Sequence, residues 1–205
     1  MRDIIVMNAK RQVEPVLPPR ERIIAAAADL FLKQGIRGVG VEAIAEAAGT
    51  NKMTLYRHFA SKDELIAEWA RGIVAQKEAL WEELSAKYPD DAQRQLIEWS
   101  ERIAAKLAEM ERRGSMLANA LAELPDKDHP ARRVIQAHKL REHKHIQRLC
   151  KDAGFQDADL AANLFFLLLE GAQNCVQCTG MKRVGEDLVR LVHRMIENTR
   201  QAERL

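Results

Sequence analysis

Residues 41–65 read VEAIAEAAGTNKMTLYRHFASKDEL, a stretch in which two short amphipathic segments follow one another. In the first segment apolar residues recur at helical spacing, and Gly49 stands where a helix commonly ends. Asn51 can then accept a hydrogen bond from the first turn of a second helix over 52–59. Two short helices joined by a glycine-containing turn are the helix-turn-helix arrangement, so this stretch predicts a DNA-binding module.

The second helix has a predicted inner and outer side. Leu55 and Phe59 are four residues apart and should point together into a small core. Because successive residues turn by about 100° around a helix, Met53 and Arg57 then project to the opposite side. This outer side is the one that a DNA groove would meet.

The side chains on and near this outer side suit contacts with DNA. Arg57 can donate two hydrogen bonds to guanine, and Met53 and Thr54 can contact a thymine methyl group, so we expect these three to read bases. The predicted contacts to phosphate are made by Lys52, Tyr56, His58 and Lys62. On spacing alone, an ordinary pair of helices with a solvated charged face fits the same pattern.

The segments on either side extend the helical pattern. Residues 1–19 contain three prolines among scattered charges and are predicted to form a flexible arm. Apolar spacing predicts a first helix over 20–34, and Ser61-Lys62-Asp63-Glu64 is a capping box that starts a fourth helix. Further helices are predicted over 63–86, 92–112, 114–124, 130–152, 157–178 and 183–203, with breaks at prolines and glycines. The expected fold is all-α, with about nine helices and no strands.

The module resembles the DNA-binding domain of the TetR/AcrR family of bacterial regulators. The resemblance rests on three strings, which are IAEAAG at 44–49, TLYRHF at 54–59 and SKDEL at 61–65. It implies a three-helix helix-turn-helix domain at 20–65, followed at 66–205 by a helical bundle that binds an effector and forms the dimer.

The resemblance also implies roles for single residues. Positions that match Lys52, Met53 and Thr54 approach bases in this family, and those that match Tyr56, His58 and Lys62 hold the DNA backbone. The sequence departs from the family in two places, with Val39-Gly40 where many members have two threonines and Thr50-Asn51 where Val-Ser is common. Gly40 supplies no hydroxyl, which puts one backbone contact in doubt but not the module.

Two C-terminal helices are predicted to pair two copies of the chain, because repressors of this fold bind two-fold symmetric sites as dimers. The segment 157–178 is apolar nearly all round, and the final helix carries an apolar stripe. The expected interface residues are Leu160, Leu164, Leu168, Leu188, Leu191, Val192 and Met195. One thick monomeric core is the alternative.

The resemblance further implies a ligand cavity among the middle helices, whose occupation moves the two DNA-binding domains through the fourth helix. The candidate lining residues are Trp69, Trp81, Trp99, Met110, Met116, Phe165 and Phe166. Each of these side chains could instead fill the core. The sequence does not identify the effector, the operator or the regulated genes.

Composition narrows the class of protein. The net charge is +2, but residues 1–62 carry ten Lys or Arg against six Asp or Glu, a modest basic excess that suits a polyanion. The longest apolar run spans six residues, 164–169, whereas a transmembrane helix needs about 20. With no secretory signal and an odd number of cysteines, we expect a cytoplasmic protein with reduced thiols and no membrane association.

Several side chains invite a site of another kind. Cys175 and Cys178 form a single CxxC pair in an apolar helix, for which packing is the simpler interpretation. His138, His143 and His145 are interpreted as part of a solvated basic face, since 143 and 145 point to different sides of a helix. We therefore expect no metal, no cofactor and, without a nucleophile and base at usable spacing, no enzyme.

The function that these features favour is a ligand-responsive transcriptional regulator. We expect a repressor that binds a pseudo-palindromic operator as a homodimer and is released by a small-molecule effector. The alternatives are a transcriptional activator, or a helical small-molecule-binding or interaction protein with a non-functional DNA-binding module.

Overall fold

The computed structural model describes residues 17–109, 114–179, 181 and 183–202, with side chains as far as residue 198. Within these residues the chain forms nine helices and no strand, which confirms the predicted all-α fold. The helices are α1 (Pro19–Gln34), α2 (Val41–Ala47), α3 (Lys52–His58), α4 (Lys62–Lys87), α5 (Ala92–Glu109), α6 (Met116–Glu123), α7 (Pro130–Asp152), α8 (Ala158–Thr179) and α9 (Val184–Ala202). Met110 and residues 1–16 of the predicted arm lie outside the described residues.

Local hydrogen bonds start the helices of the module where the sequence predicts them. The side-chain oxygen of Asn51 accepts the backbone N–H of Thr54 at 2.9 Å, and Ser61 Oγ accepts that of Glu64 at 3.1 Å. Between α2 and α3, Gly49 has a φ of +62°, a left-handed conformation that glycine adopts without a steric penalty. The tight turn holds α3 at a fixed angle to α2.

The apolar side chains form two cores. The first lies among α1, α2, α3 and the first half of α4, and α6 and the start of α7 close it. The second lies among the end of α4, α5, the second half of α7, α8 and α9. Because α4 is one helix of 26 residues, it passes from the first core into the second. The predicted division after residue 65 therefore falls inside a continuous helix, and Val74 still belongs to the first core.

The helices of the second core run alongside one another in pairs. The most extensive packing joins α5 to α9, α4 to α7 and α7 to α8. None of the helices in the described part of the chain combines the length and the apolar character that a transmembrane span requires. The arrangement leaves α3 at one end of the molecule and encloses a cavity between α4, α5, α6, α7 and α8.

Candidate DNA-binding surface and ligand cavity

The recognition helix α3 has the inner and outer sides that its sequence predicts. Leu55 is 0% exposed and Phe59 is 3% exposed, because both belong to the first core, in which α3 packs against α1 and α2. On the opposite side Met53 is 81% exposed, and Arg57 also lies in solvent. The orientation is confirmed, and the outer side is free to meet another molecule.

The predicted phosphate-binding residues Tyr56 and His58 are exposed beside this outer side. Thr54 is half-buried, and its backbone N–H donates a hydrogen bond to the side chain of Asn51. Met53, Thr54 and Arg57 thus lie on the same seven-residue helix as Tyr56 and His58. The structure brings these five residues together on a single surface.

Lys52 is on the same surface but already has a partner. Its ammonium forms a salt bridge with the carboxylate of Glu42 on α2, and this hydrogen bond raises the pKa of Lys52 above its ordinary value. The pair is solvent-exposed, so it contributes little to folding stability and can open at small cost. Contact between Lys52 and a phosphate would replace one acidic partner with another.

Lys62 lies apart from the others and bridges two elements. Its Nζ donates a hydrogen bond to the backbone carbonyl of Ile36 at 2.8 Å, in the turn between α1 and α2. The start of α4 is thereby tied to the turn that precedes the helix-turn-helix. A positioning role for Lys62 was not predicted from sequence, because the two residues are 26 positions apart and no periodicity joins them.

A second tie to the same turn comes from α6. Glu123 Oε2 accepts the backbone N–H of Arg37 at 2.9 Å. A side chain at Gly35 would collide with this carboxylate, since a Cβ built there would lie 2.9 Å from Oε2. Sequence reasoning missed Glu123 altogether, because only the fold brings the end of α6 to the α1–α2 turn.

The enclosed cavity has a volume of about 100 Å³. Of the aromatic and methionine residues proposed from sequence, Trp81, Trp99 and Met116 line it. The apolar wall is completed by Ile73, Leu80, Ile103, Leu107, Leu117 and Leu169. The polar and charged lining residues are Gln76, Lys77, Arg102, Lys106, Ser115, Glu142 and Gln173.

The other three described candidates do not line this cavity. Trp69 packs edge-on against Phe31 in the first core, with ring centroids 5.5 Å apart. Phe165 is buried in the second core, and Phe166 packs beside His143 on α7. Their side chains meet neighbouring helices because α4 and α8 each present different faces to different partners, which apolar content alone does not reveal.

The histidines of α7 do not form the solvated face that we predicted. His138 and His145 lie two helical turns apart, and both stack on the indole of Trp81, at centroid distances of 5.4 and 5.0 Å. Burial lowers the pKa of His145 to about 4 and also lowers that of His138. These imidazoles are therefore neutral packing partners of a cavity residue. His138 is buried, whereas His143 and His145 are both partly exposed.

The outer face of α8 is apolar. Leu160 is 54% exposed and Leu164 is 44% exposed, and Leu191 of α9 is also exposed. Leu168 and Met195 are half-buried between the two helices. Leu188 and Val192, in contrast, are buried against α5 in the chain's own core, so they are removed from the predicted interface.

One of the three cysteines is buried and the other two are exposed. Burial raises the pKa of the Cys150 thiol to about 12, which makes it an inert core side chain. Cys175 and Cys178 are exposed on the outer face of α8 and do not pack in the chain's own core, contrary to our interpretation.

Comparison with known proteins gives concordant matches. The model of the family of bacterial regulatory proteins named for TetR matches residues 23–69. The transcriptional repressor KstR2 of Mycobacterium tuberculosis is 40% identical over 55 residues, which cover 27% of this chain and 28% of that protein. The activator FasR of Mycolicibacterium smegmatis is 41% identical over 46 residues, 22% of this chain and 21% of FasR. The chain thus spans less than a third of the curated relatives that it matches.

Similarity in three dimensions extends much further. A TetR-family transcriptional regulator from Streptomyces coelicolor superposes with a TM-score of 0.78 and 26% identity, over 88% of this chain and 95% of that structure. The likeness therefore includes the helices beyond the module: the N-terminal module matches the TetR family, and the chain shares the fold of a TetR-family transcriptional regulator over most of its length.

Proposed function

We propose that two copies of this chain bind a pseudo-palindromic operator and release it when a small molecule occupies the cavity. The observation that carries the proposal is the outer face of α3, where Met53 and Arg57 stand in solvent beside half-buried Thr54, over a helix held by buried Leu55 and Phe59. A helix supported in this way can enter the major groove.

The charges around α3 support the same role. Arg57, His58 and Lys52 surround the exposed side chains that would read bases, and no acidic residue of α3 itself opposes them. Arg57 supplies the planar pair of donors that matches guanine, whereas the lysines suit phosphate oxygens. Contact with several phosphates would make the affinity fall steeply with salt concentration.

The outer face of α8 supports pairing of two copies. Leu160, Leu164 and Leu167 recur at helical spacing and are all exposed, and Leu191 extends the apolar surface onto α9. Removing an apolar surface of this kind from water is favourable. The same face of a second copy, related by a two-fold axis, would bury it. A two-fold axis in the protein matches two-fold symmetry in the operator.

The direction of control is proposed to be repression, acting in the cytoplasm where the operator is accessible. KstR2 is named a repressor and FasR an activator. Both outcomes use the same contacts and differ only in where the site lies relative to the promoter. A reporter downstream of the native site should rise when the gene for this protein is deleted, and a fall would identify an activator.

Selection from random duplexes tests DNA binding directly. The purified full chain should enrich a sequence with two inverted half-sites, and raising the salt should release the bound DNA. A double variant, Thr54→Ala with Arg57→Ala, should unfold at the same temperature as the parent but enrich no sequence. Recovery of unrelated oligonucleotides by the parent would overturn the proposal.

A further inference from the structure

The cavity contains a lysine without a partner. Lys77 of α4 lines the cavity together with Trp81 and Trp99, and no hydrogen bond or salt bridge joins it to another described residue. Burial is the largest influence on its pKa, which lies below the ordinary value for lysine. A partly buried ammonium without an acceptor is costly for the folded chain unless something else neutralises it.

The acidic residues near Lys77 are already neutralised by another lysine. Glu142 lines the cavity, but one of its oxygens accepts a hydrogen bond from Lys139 at 2.8 Å. Lys139 also bridges to Glu170 on α8. The attraction that Glu142 exerts on Lys77 is therefore shared with a closer cation.

The rest of the cavity wall is positive as well. Arg102 and Lys106 line the cavity from α5, and Arg102 forms salt bridges with Glu83 and Glu98. Among the charged residues of the described wall, Glu142 and Arg102 are thus paired, whereas Lys77 and Lys106 have no salt bridge to a described carboxylate. A cationic ligand would meet this wall unfavourably, whereas an anion would meet a positive potential.

The remaining surface of the cavity is apolar and aromatic. Trp81 and Trp99 meet edge to face with centroids 5.8 Å apart, and leucines of α4, α5, α6 and α8 surround them. A cavity of this size is comparable to engineered cavities of about 150 Å³ that take up a single benzene ring. One free ammonium matches one negative charge, and the space leaves room for a small body only.

We propose that the effector of this protein is a small monocarboxylic acid with a compact aromatic or branched apolar body, and that Lys77 binds its carboxylate. The inference rests on the proposed function, because it takes the cavity to be the effector site. The apolar body would lie against Trp81 and Trp99, and the carboxylate would accept a charge-assisted hydrogen bond from Lys77 Nζ. Uncharged molecules of the same shape should be poor effectors.

Matched pairs of acids and amides test the charge preference. Titration calorimetry of the full chain would compare benzoate with benzamide, phenylacetate with phenylacetamide, and 3-methylbutanoate with its amide. We expect at least one acid to bind about tenfold or more tightly than its amide, since an ionic hydrogen bond in a partly buried site is worth at least that factor. If every amide binds as well as its acid, the inference is overturned.

Variants of two lysines assign the contact. Lys77→Met should remove the preference for the acid, and Lys77→Arg should keep it. The control, Lys144→Met, changes an exposed lysine of α7 outside the cavity and should bind like the parent. If Lys77→Met does not fold, Lys77→Gln takes its place. A preference that survives loss of the Lys77 charge in a folded variant would show that another group holds the carboxylate, which refutes the assignment.

The same protein samples separate this inference from the proposed function. Enrichment of a symmetric DNA site without any preference for acids would refute the carboxylate ligand and leave the regulator intact. Tight acid binding with no DNA selection would refute operator binding and leave the ligand class standing. Acids that bind and also release selected DNA would support both.

Discussion

Glu123 accepts the backbone N–H of Arg37 at 2.9 Å, which joins the last residue of α6 to the turn between α1 and α2. Met116, the first residue of the same helix, lines the cavity. A helix of only eight residues therefore touches the proposed effector site at one end and the DNA-binding module at the other. A small displacement of α6 by a ligand would reach the turn that precedes α2 as a rigid-body movement.

We expect Glu123→Ala to weaken the coupling between ligand and DNA without abolishing either binding event. The variant loses the hydrogen bond to Arg37 but keeps the cavity wall and the α3 surface. The factor by which a bound acid lowers DNA affinity should shrink by about 0.5–2 kcal/mol when expressed as a coupling free energy. Fluorescence anisotropy of labelled operator, titrated with and without the acid, measures this factor. Asp152→Ala, at the far end of α7, is the control, and an unchanged factor in Glu123→Ala would exclude this route.

We expect Arg57→Ala to relax the preference for one base in each half-site, because the guanidinium is the only side chain on the outer face of α3 that can donate two parallel hydrogen bonds to guanine. The discrimination lost should be about 1–3 kcal/mol per half-site. Competition between the selected operator and single-base variants measures it. The exposed Arg133 of α7 provides a matched control as Arg133→Ala. Unchanged base discrimination in Arg57→Ala would assign base reading to other residues.

We expect Leu164→Glu to convert the dimer to a folded monomer. Leu164 is exposed on α8 in the single chain, so a carboxylate there costs little in the monomer but would be buried without a partner in a two-fold interface. Sedimentation velocity gives the mass, and thermal unfolding followed by circular dichroism shows whether the helices persist.

The matched control for this variant is Leu140→Glu. Leu140 is 66% exposed on α7 and lies outside the α8 and α9 face, so its replacement should leave the dimer intact. If Leu164→Glu sediments with the same mass as the parent, the α8 face does not hold the two copies together. A parent protein that is itself monomeric at all concentrations would reject the pairing outright.

We expect the free energy of unfolding to fall as the pH is lowered from about 6.5 to about 4. The upper limit is the ordinary pKa of histidine, and the lower limit is the pKa of His145 in the folded chain. Burial between Trp81 and Trp99 keeps this imidazole neutral in the folded chain, and Arg148 donates a hydrogen bond to its Nδ1. In this pH range the unfolded chain binds the proton more readily, so protonation favours unfolding.

Urea unfolding at several pH values measures the effect. His145→Gln removes the titrating group and should flatten the pH dependence, although His138, whose pKa burial also lowers, contributes in the same direction. The comparison is between slopes with pH, since the substitution also changes the packing on Trp81. An unaltered slope in the variant would mean that His145 does not control acid stability.

The predicted fold and the orientation of α3 came from signals that act over a few residues. Asn51 and Ser61 cap the helices that follow them through hydrogen bonds three residues away, and Leu55 and Phe59 share a face because of helical geometry. Such interactions involve only residues that are close in the chain. They can therefore be predicted from the amino-acid sequence.

Several residues predicted for the interface and the cavity lie in the chain's own core instead, because they were chosen only for their apolar character. Leu164 and Val192 are both aliphatic and both lie on helices of the second core, yet one is exposed and the other is fully buried. The difference depends on which side of α8 and which side of α9 faces the other helices of the second core. No local sequence pattern indicates which helix packs against a given apolar face.

The amino-acid sequence by itself determined the nine helices of the described residues, the turn at Gly49 and the side of α3 that faces outward, since periodicity, capping and backbone sterics operate within one or two helical turns. Only the tertiary structure decided that Lys62 holds Ile36, that Glu123 holds Arg37 and that Lys77 lines the same cavity as Trp81 and Trp99 without a salt bridge in the described residues. These relationships join residues far apart in the chain, and they exist because packing of the apolar faces brings the helices that carry them together.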